Sequence, residues 1–442
     1  MVPSRQSAHP DRRVIPALFD DAGHAGDIHR QHLIGEAQAL LARLAQVKPF
    51  ETTMPMVVAA GLETRALRHI HDLIRAGRKQ LAGQVNTFVA GLKSNPEESP
   101  QRLQLAFALL KLRFNALLDT FDIFADVLNQ RSEHDTGIWL AGLDILARDS
   151  LRIEGDYYQP PPLICYLDRG HGAAIRRART RLPGGQSNPV AIIKVPRERM
   201  VGSGIGSSLV HEVGHQGAAL LDLVNSVTAV LEQKAGQEPQ RSTAWKLYRL
   251  WISEILSDFW SVATLGVSAT TGLMSVVSLP EYFVFRLPDG DPHPFPWIRV
   301  KISIAFGRAL YPDPQWDRLV QIWENFYPPA SQPAPQQTII RVLHEVLPDF
   351  VQTVLHHRPQ ALRGRPLREV FPLDERRPER LRQAYRLWQQ QPKAIYAARP
   401  GLVFAVVGQA RADQAITPFT ENKTLTGMLF QWAIMQQQQL SH

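Results

Sequence analysis

Two histidines four residues apart, His211 and His215, stand inside an otherwise apolar stretch, Ser207-Ser208-Leu209-Val210-His211-Glu212-Val213-Gly214-His215-Gln216. Leu209, Val210, Val213, Ala218, Leu220, Leu221 and Leu223 supply an apolar surface at helical spacing, and Ser207 or Ser208 is placed to cap the helix. On a helix, residues four apart share a face, so both imidazoles can reach one metal ion. Glu212, about 100° round the helix, then points at a water on that ion rather than at the ion itself. Zinc suits such a pair, because it accepts imidazole nitrogens and keeps a position open for water when three protein ligands bind. The competing reading is a surface helix with two solvated histidines, and a second motif argues against it.

That motif is Trp251-Ile252-Ser253-Glu254-Ile255-Leu256-Ser257-Asp258-Phe259-Trp260. Its frame is apolar and helical, yet Glu254 and Asp258 fall four apart on one face. A carboxylate on an apolar helix is unfavourable to bury unless it is paired or bound to a metal. Glu254 as third zinc ligand resolves that conflict. Asp258, one turn on, is then placed to accept the free ring N–H of a ligating histidine.

The combination His211-Glu212-x-x-His215 with Glu254-x-x-x-Asp258 resembles the gluzincin metallopeptidases. The resemblance implies that His211, His215 and Glu254 bind zinc, that Glu212 is the general base and that Asp258 supports the ligands. Asp291-Pro292-His293-Pro294-Phe295-Pro296-Trp297-Ile298-Arg299-Val300 is similar to the His-Pro and Arg-Ile segment of HtpX-like and CAAX-protease-like gluzincins. The likeness covers about residues 190–305. In the proline-stiffened loop, His293 can donate to the oxyanion of a tetrahedral intermediate or fill the open metal position; otherwise it is a loop histidine. Tyr282 is a further donor candidate, and Arg299 a partner for a carboxylate near the site.

The remaining chain sets bounds on these expectations. Its 442 residues are 44% hydrophobic and 20% charged, with a net charge of +8. The arginines are spread rather than blocked, so no nucleic-acid partner is expected. Cys165 is the only cysteine. An intramolecular disulfide is impossible, and the expectation is a reducing, cytoplasmic compartment with Cys165 as a small buried hydrophobe. The uncharged run from Phe259 to Pro280 is long enough to cross a bilayer but rich in Ser, Thr and Gly. It reads as a buried helix or helix pair, and membrane contact is not expected.

Taken in order, residues 1–30 read as an N-terminal arm. Residues 31–150 read as an all-helical domain, with helices near 66–92, 100–129 and 136–146. Residues 151–330 hold the motifs, and 331–442 form a helical C-terminal region after the Pro-rich Tyr327–Pro335. Leu163–Leu167 and Pro189–Pro196 read as strands. Arg169–Arg181 reads as a solvated helical face or a site for an acidic group, and Gly202, Gly204 and Gly206 as a flexible loop at the cleft rim. The strand just before the metal helix is placed to be a sheet edge that holds an extended peptide, with Ile192, Ile193 and Lys194 as substrate-binding residues; an ordinary core strand is the alternative.

The expected fold class is α+β, mostly α, a zincin-like catalytic domain with a small mixed sheet flanked by helical regions. The expected activity is zinc-dependent peptide hydrolysis on a protein or peptide substrate. Two rivals stand beside it: a non-catalytic or self-inhibited zincin-fold scaffold, and a zinc enzyme acting on a non-peptide amide or ester.

Overall fold

The computed structural model describes residues 28–47, 56–95, 97–170, 172–196 and 202–440. The expected arm at 1–30 therefore lies outside the described residues, except that a helix already begins at Ile28. The chain divides into two compact units, residues 1–47 with 79–114, and residues 48–78 with 115–442.

The first unit is built from α1 (Ile28–Ala45) and parts of α2 (Thr64–Ser94) and α3 (Pro100–Asn129). Leu33, Ala37, Leu40 and Leu44 of α1 are buried, a spacing of three and four that makes one helical stripe. Arg30 donates to the carbonyls of Leu92 and Glu98, and Phe88 and Phe107 pack with ring centroids 5.8 Å apart.

The second unit starts its main run with α4 (His134–Ser150), then β1 (Leu163–Asp168), β2 (Ala174–Arg176) and β3 (Ala191–Pro196). Next come α5 (Gly202–Leu220), α6 (Leu223–Gln237), α7 (Ser242–Leu250), α8 (Ile252–Leu265), α9 (Val267–Val277) and α10 (Glu281–Val284). It ends with α11 (Pro296–Leu310), α12 (Gln315–Phe326), α13 (Ala334–Leu355), α14 (Pro378–Gln390), α15 (Pro400–Ala412) and α16 (Pro418–Leu440). The fold is mostly helical with one small mixed sheet. β3 lies in the middle, parallel to β1 and antiparallel to β2. Cys165 of β1 is fully buried, and burial pushes its thiol pKa well up. A buried Arg131 pins this strand: it donates to the Cys165 carbonyl at 2.7 Å and pairs with Asp144, which accepts the Cys165 N–H.

The expected boundaries at 150 and 330 do not coincide with the division into units. One hydrophobic core runs from Trp139 of α4 to Trp432 of α16, so the helices after 330 share the core of the motif-bearing region, while the buried residues of α1 lie outside it. The Pro-rich Tyr327–Pro335 is a tight connection, not an interdomain linker. Tyr327 accepts from the Trp297 indole, and α13 beyond it stacks Phe350 on Tyr248 with centroids 4.1 Å apart. The run from Phe259 to Pro280 is a helix pair, α8 and α9, broken at Gly266 with φ of +61°. Among the described residues, no helix is long and apolar enough to cross a membrane.

Candidate metal centre

α5 carries the first motif and packs against α8, which carries the second. The approach is close because two glycines face α8. A Cβ on Gly214 would lie 2.8 Å from Ser257 Cα, and one on Gly217 would lie 2.4 Å from the Trp260 ring. The start of α5 differs from the sequence reading. The helix begins at Gly202, so Gly202, Gly204 and Gly206 form its first turns rather than a loop, and Ser207 and Ser208 lie inside it. The cap comes from α16. Glu421 accepts from the backbone N–H and the hydroxyl of Ser203, and Asn422 accepts from the Gly202 N–H.

The two helices bring His211, His215 and Glu254 together, each side chain largely buried. His211 Nε2 lies 3.3 Å from Glu254 Oε2, and His215 Nε2 lies 3.3 Å from Glu254 Oε1. One donor atom from each of the three residues lies within 4.8 Å of the others, so the group could hold a metal ion, and a donor set of two imidazoles and a carboxylate is one that zinc accepts. The charges fit as well. Glu212, Glu254 and Asp258 face the Arg299 guanidinium and the His211 imidazole, so a divalent cation bound here would take the place of the proton that these carboxylates hold on His211.

Each imidazole is oriented through its far nitrogen. His211 Nδ1 lies 2.7 Å from Asp258 Oδ1, and His215 Nδ1 lies 3.4 Å from the Ser253 hydroxyl. Arg299 holds Asp258 in turn, with Nε donating to Oδ2 at 2.7 Å and an Nη to Oδ1 at 3.0 Å. The same Nη reaches Glu254 Oε2 at 3.3 Å. Burial alone would lower the His211 pKa, but the Asp258 and Glu254 carboxylates outweigh it and push the imidazole up to about 9. Burial opposes the charged form of Glu254, yet its hydrogen bonds to the two histidines hold it far below the usual carboxylate range. Glu212 is 6% exposed, and burial raises its pKa.

These side chains line a cavity of about 460 Å³. His293 stands at it, with Nδ1 2.9 Å from Asp291 Oδ1 and Nε2 aimed inward, 3.7 Å from Glu254 Oε1. Asp291 was missed from the sequence. Its signal is the two-residue spacing of Asp-Pro-His, which lets one carboxylate oxygen accept both the backbone N–H and the ring nitrogen of His293. Tyr282 is 71% exposed and does not line the cavity.

The substrate-binding assignment of Ile192, Ile193 and Lys194 is corrected by the strand order. All three lie on the central strand, paired on one side with Ile164, Cys165 and Tyr166 and on the other with Arg176, Ile175 and Ala174. Their backbone has no free edge, and none lines the cavity. Of the two edge strands, β1 has its Cys165 and Leu167 backbone bonded by the side chains of Gln130, Arg131 and Asp144, whereas β2 has no second strand partner among the described residues. Gly172, Ala173, Ala174, Ile175 and Arg177 of this segment do line the cavity. The described residues of Arg169–Arg181 are thus an edge strand and irregular turns, not a helical face. Gln216, next to His215, ties the two together by accepting the Ala178 N–H at 2.8 Å.

Compared with known proteins, the chain matches no protein-family model, and no match to a curated protein or to a solved structure is found.

Proposed function

We propose that this chain is a zinc-dependent peptidase of gluzincin type, with His211, His215 and Glu254 as ligands and Glu212 as general base. The observation that carries the reading is an edge strand, without a second strand partner among the described residues, on the wall of the cavity that also holds Glu212 and the three-ligand set. An extended peptide can add to β2 through backbone hydrogen bonds, which brings a scissile amide alongside Glu212.

Zinc, when bound, supplies Lewis acidity and lowers the pKa of water towards 7. Glu212 accepts the proton of the attacking water and delivers it to the leaving amine. Its buried setting suits a base that must also hold a proton for part of the cycle. His293 Nε2, steered by Asp291, is a donor lining the cavity and stabilises charge developing on the carbonyl oxygen. Asp258 and Arg299 fix the His211 tautomer and the Glu254 carboxylate.

The test is Glu212→Gln. The variant is expected to keep zinc and to lose peptide hydrolysis by at least about 100-fold, the scale of a general-base contribution. Hydrolysis at the wild-type rate would overturn the assignment.

A further inference from the structure

The edge strand on the cavity wall belongs to a basic stretch. From Arg169 to Pro196 the chain holds five arginines, one lysine and no Asp or Glu, so the stretch cannot neutralise itself. Several arginines of the second unit hold carboxylates: Arg131 with Asp144, Arg382 with Asp313 and Asp413, and Arg399 with Asp149. Arg176, Arg177 and Arg179 are exposed, and none of them forms an ion pair among the described residues.

These three arginines follow one path. Gly172 to Ile175 and Arg177 line the metal-site cavity. Arg179, two residues on, lines a second groove of about 450 Å³ together with Arg65, Asp72 and Asn188, and Asp72 is the one carboxylate there. The backbone that carries the arginines is fixed. Asn188 is buried and donates from Nδ2 to the carbonyls of Arg176 at 3.3 Å and Arg177 at 3.1 Å, while its own carbonyl accepts the Arg179 N–H at 2.8 Å. Arg179 is held at φ of +67°, a conformation that is unfavourable for a side chain and open to glycine.

We propose that this stretch selects acidic peptides: a substrate strand lying on β2 carries Asp or Glu where it leaves the cavity towards the second groove, and Arg176, Arg177 and Arg179 bind those carboxylates. The proposal rests on the peptidase reading and names the substrate class for it. On an added strand, the residue opposite Arg176 projects to the same face with its Cβ about 5 Å away, within reach of a guanidinium–carboxylate pair. A lysine in that place meets like charge. Glu212 and Glu254 line the cavity itself, which sets the favoured carboxylates away from the scissile bond, on the Arg177 side.

The experiment uses three pools of fluorescent decapeptides with randomised central residues, flanked by Glu, Ser or Lys. Binding is measured by anisotropy on zinc-loaded full-length Glu212→Gln, and hydrolysis on the zinc-loaded wild type. Exposed ion pairs are each worth a factor of about 5 or less, so three of them should make the Glu pool bind about 10-fold tighter than the Ser pool, with the Lys pool weakest. The advantage should vanish towards 1 M salt. Replacing Arg176, Arg177 and Arg179 together by Gln should bring the Glu and Ser pools within about 2-fold of each other, whereas replacing all three by Lys should keep most of the preference; zinc content should match the wild type in both. A Gln variant that keeps the preference, or a single-stranded oligonucleotide that binds the three arginines more tightly than the Glu pool does, would overturn the proposal. Hydrolysis without preference for the Glu pool would overturn the arginine site and leave the peptidase reading. Arginine-dependent preference with no hydrolysis of any pool would overturn the peptidase reading and leave an acidic-peptide site.

Discussion

Gly217→Ala tests whether the closeness of α5 and α8 builds the metal centre. The new Cβ would lie 2.4, 2.6 and 2.7 Å from three ring carbons of Trp260, whereas ordinary contact begins near 3.4 Å. The overlap is therefore about 1 Å, and Trp260 cannot yield easily. It is fully buried, donates its indole N–H to the Ser150 carbonyl at 2.9 Å and packs edge-on against Phe371. Overpacking of this kind costs about 1–3 kcal/mol, and alanine recovers up to about 1 kcal/mol of helix propensity. A net loss of up to about 3 kcal/mol follows if the helices part. Parting them also stretches the 3.3 Å separations between Glu254 and the two histidines, so zinc affinity should fall with stability. The assay is thermal unfolding, metal-free and zinc-loaded, with zinc affinity from chelator competition. Gly236→Ala is the control, because a Cβ there meets nothing within 4 Å. Gly217→Ala with wild-type stability and wild-type zinc affinity would refute the packing argument.

Two further predictions concern charge. Asp258→Asn removes the carboxylate that fixes His211 and Arg299, and should weaken zinc binding by about 10–100-fold, as competition with a fluorescent chelator would measure. In the metal-free protein the His211 pKa is raised from 6.5 to about 9, so its contribution to stability is fully present below about 6.5 and is lost as pH rises through 9. Zinc must displace that proton, and apparent zinc affinity should rise roughly tenfold per pH unit across this window; affinity that is flat or falls with rising pH would contradict the site.

The parts of the site that were legible in the sequence are the parts whose cause is local. His211, Glu212 and His215 share a helix, and helical periodicity alone fixes their relative positions. Glu254 and Asp258 stood out because a carboxylate in an apolar helix needs a partner, and both have one. The long helices were readable for the same reason: α3 begins and ends at the expected Pro100 and Asn129. What was not legible depends on distant partners. The cap of α5 comes from Glu421 and Asn422, some two hundred residues away, so serines within the helix read as its start. Strand order is non-local too. Nothing in Ile192-Ile193-Lys194 reveals that a short Arg-flanked segment before it, Ala174–Arg176, takes the outer place in the sheet. The Pro-rich segment after α12 reads as a linker, but the core continues through it.

The most direct test of the central claim is zinc content of purified full-length protein, wild type beside Glu254→Ala, with peptide hydrolysis measured on the same samples. The account predicts about one zinc per chain in the wild type, hydrolysis that depends on it, and loss or weakening of both in the variant. No zinc in either sample after zinc is supplied, or equal zinc and equal hydrolysis in both, would contradict it.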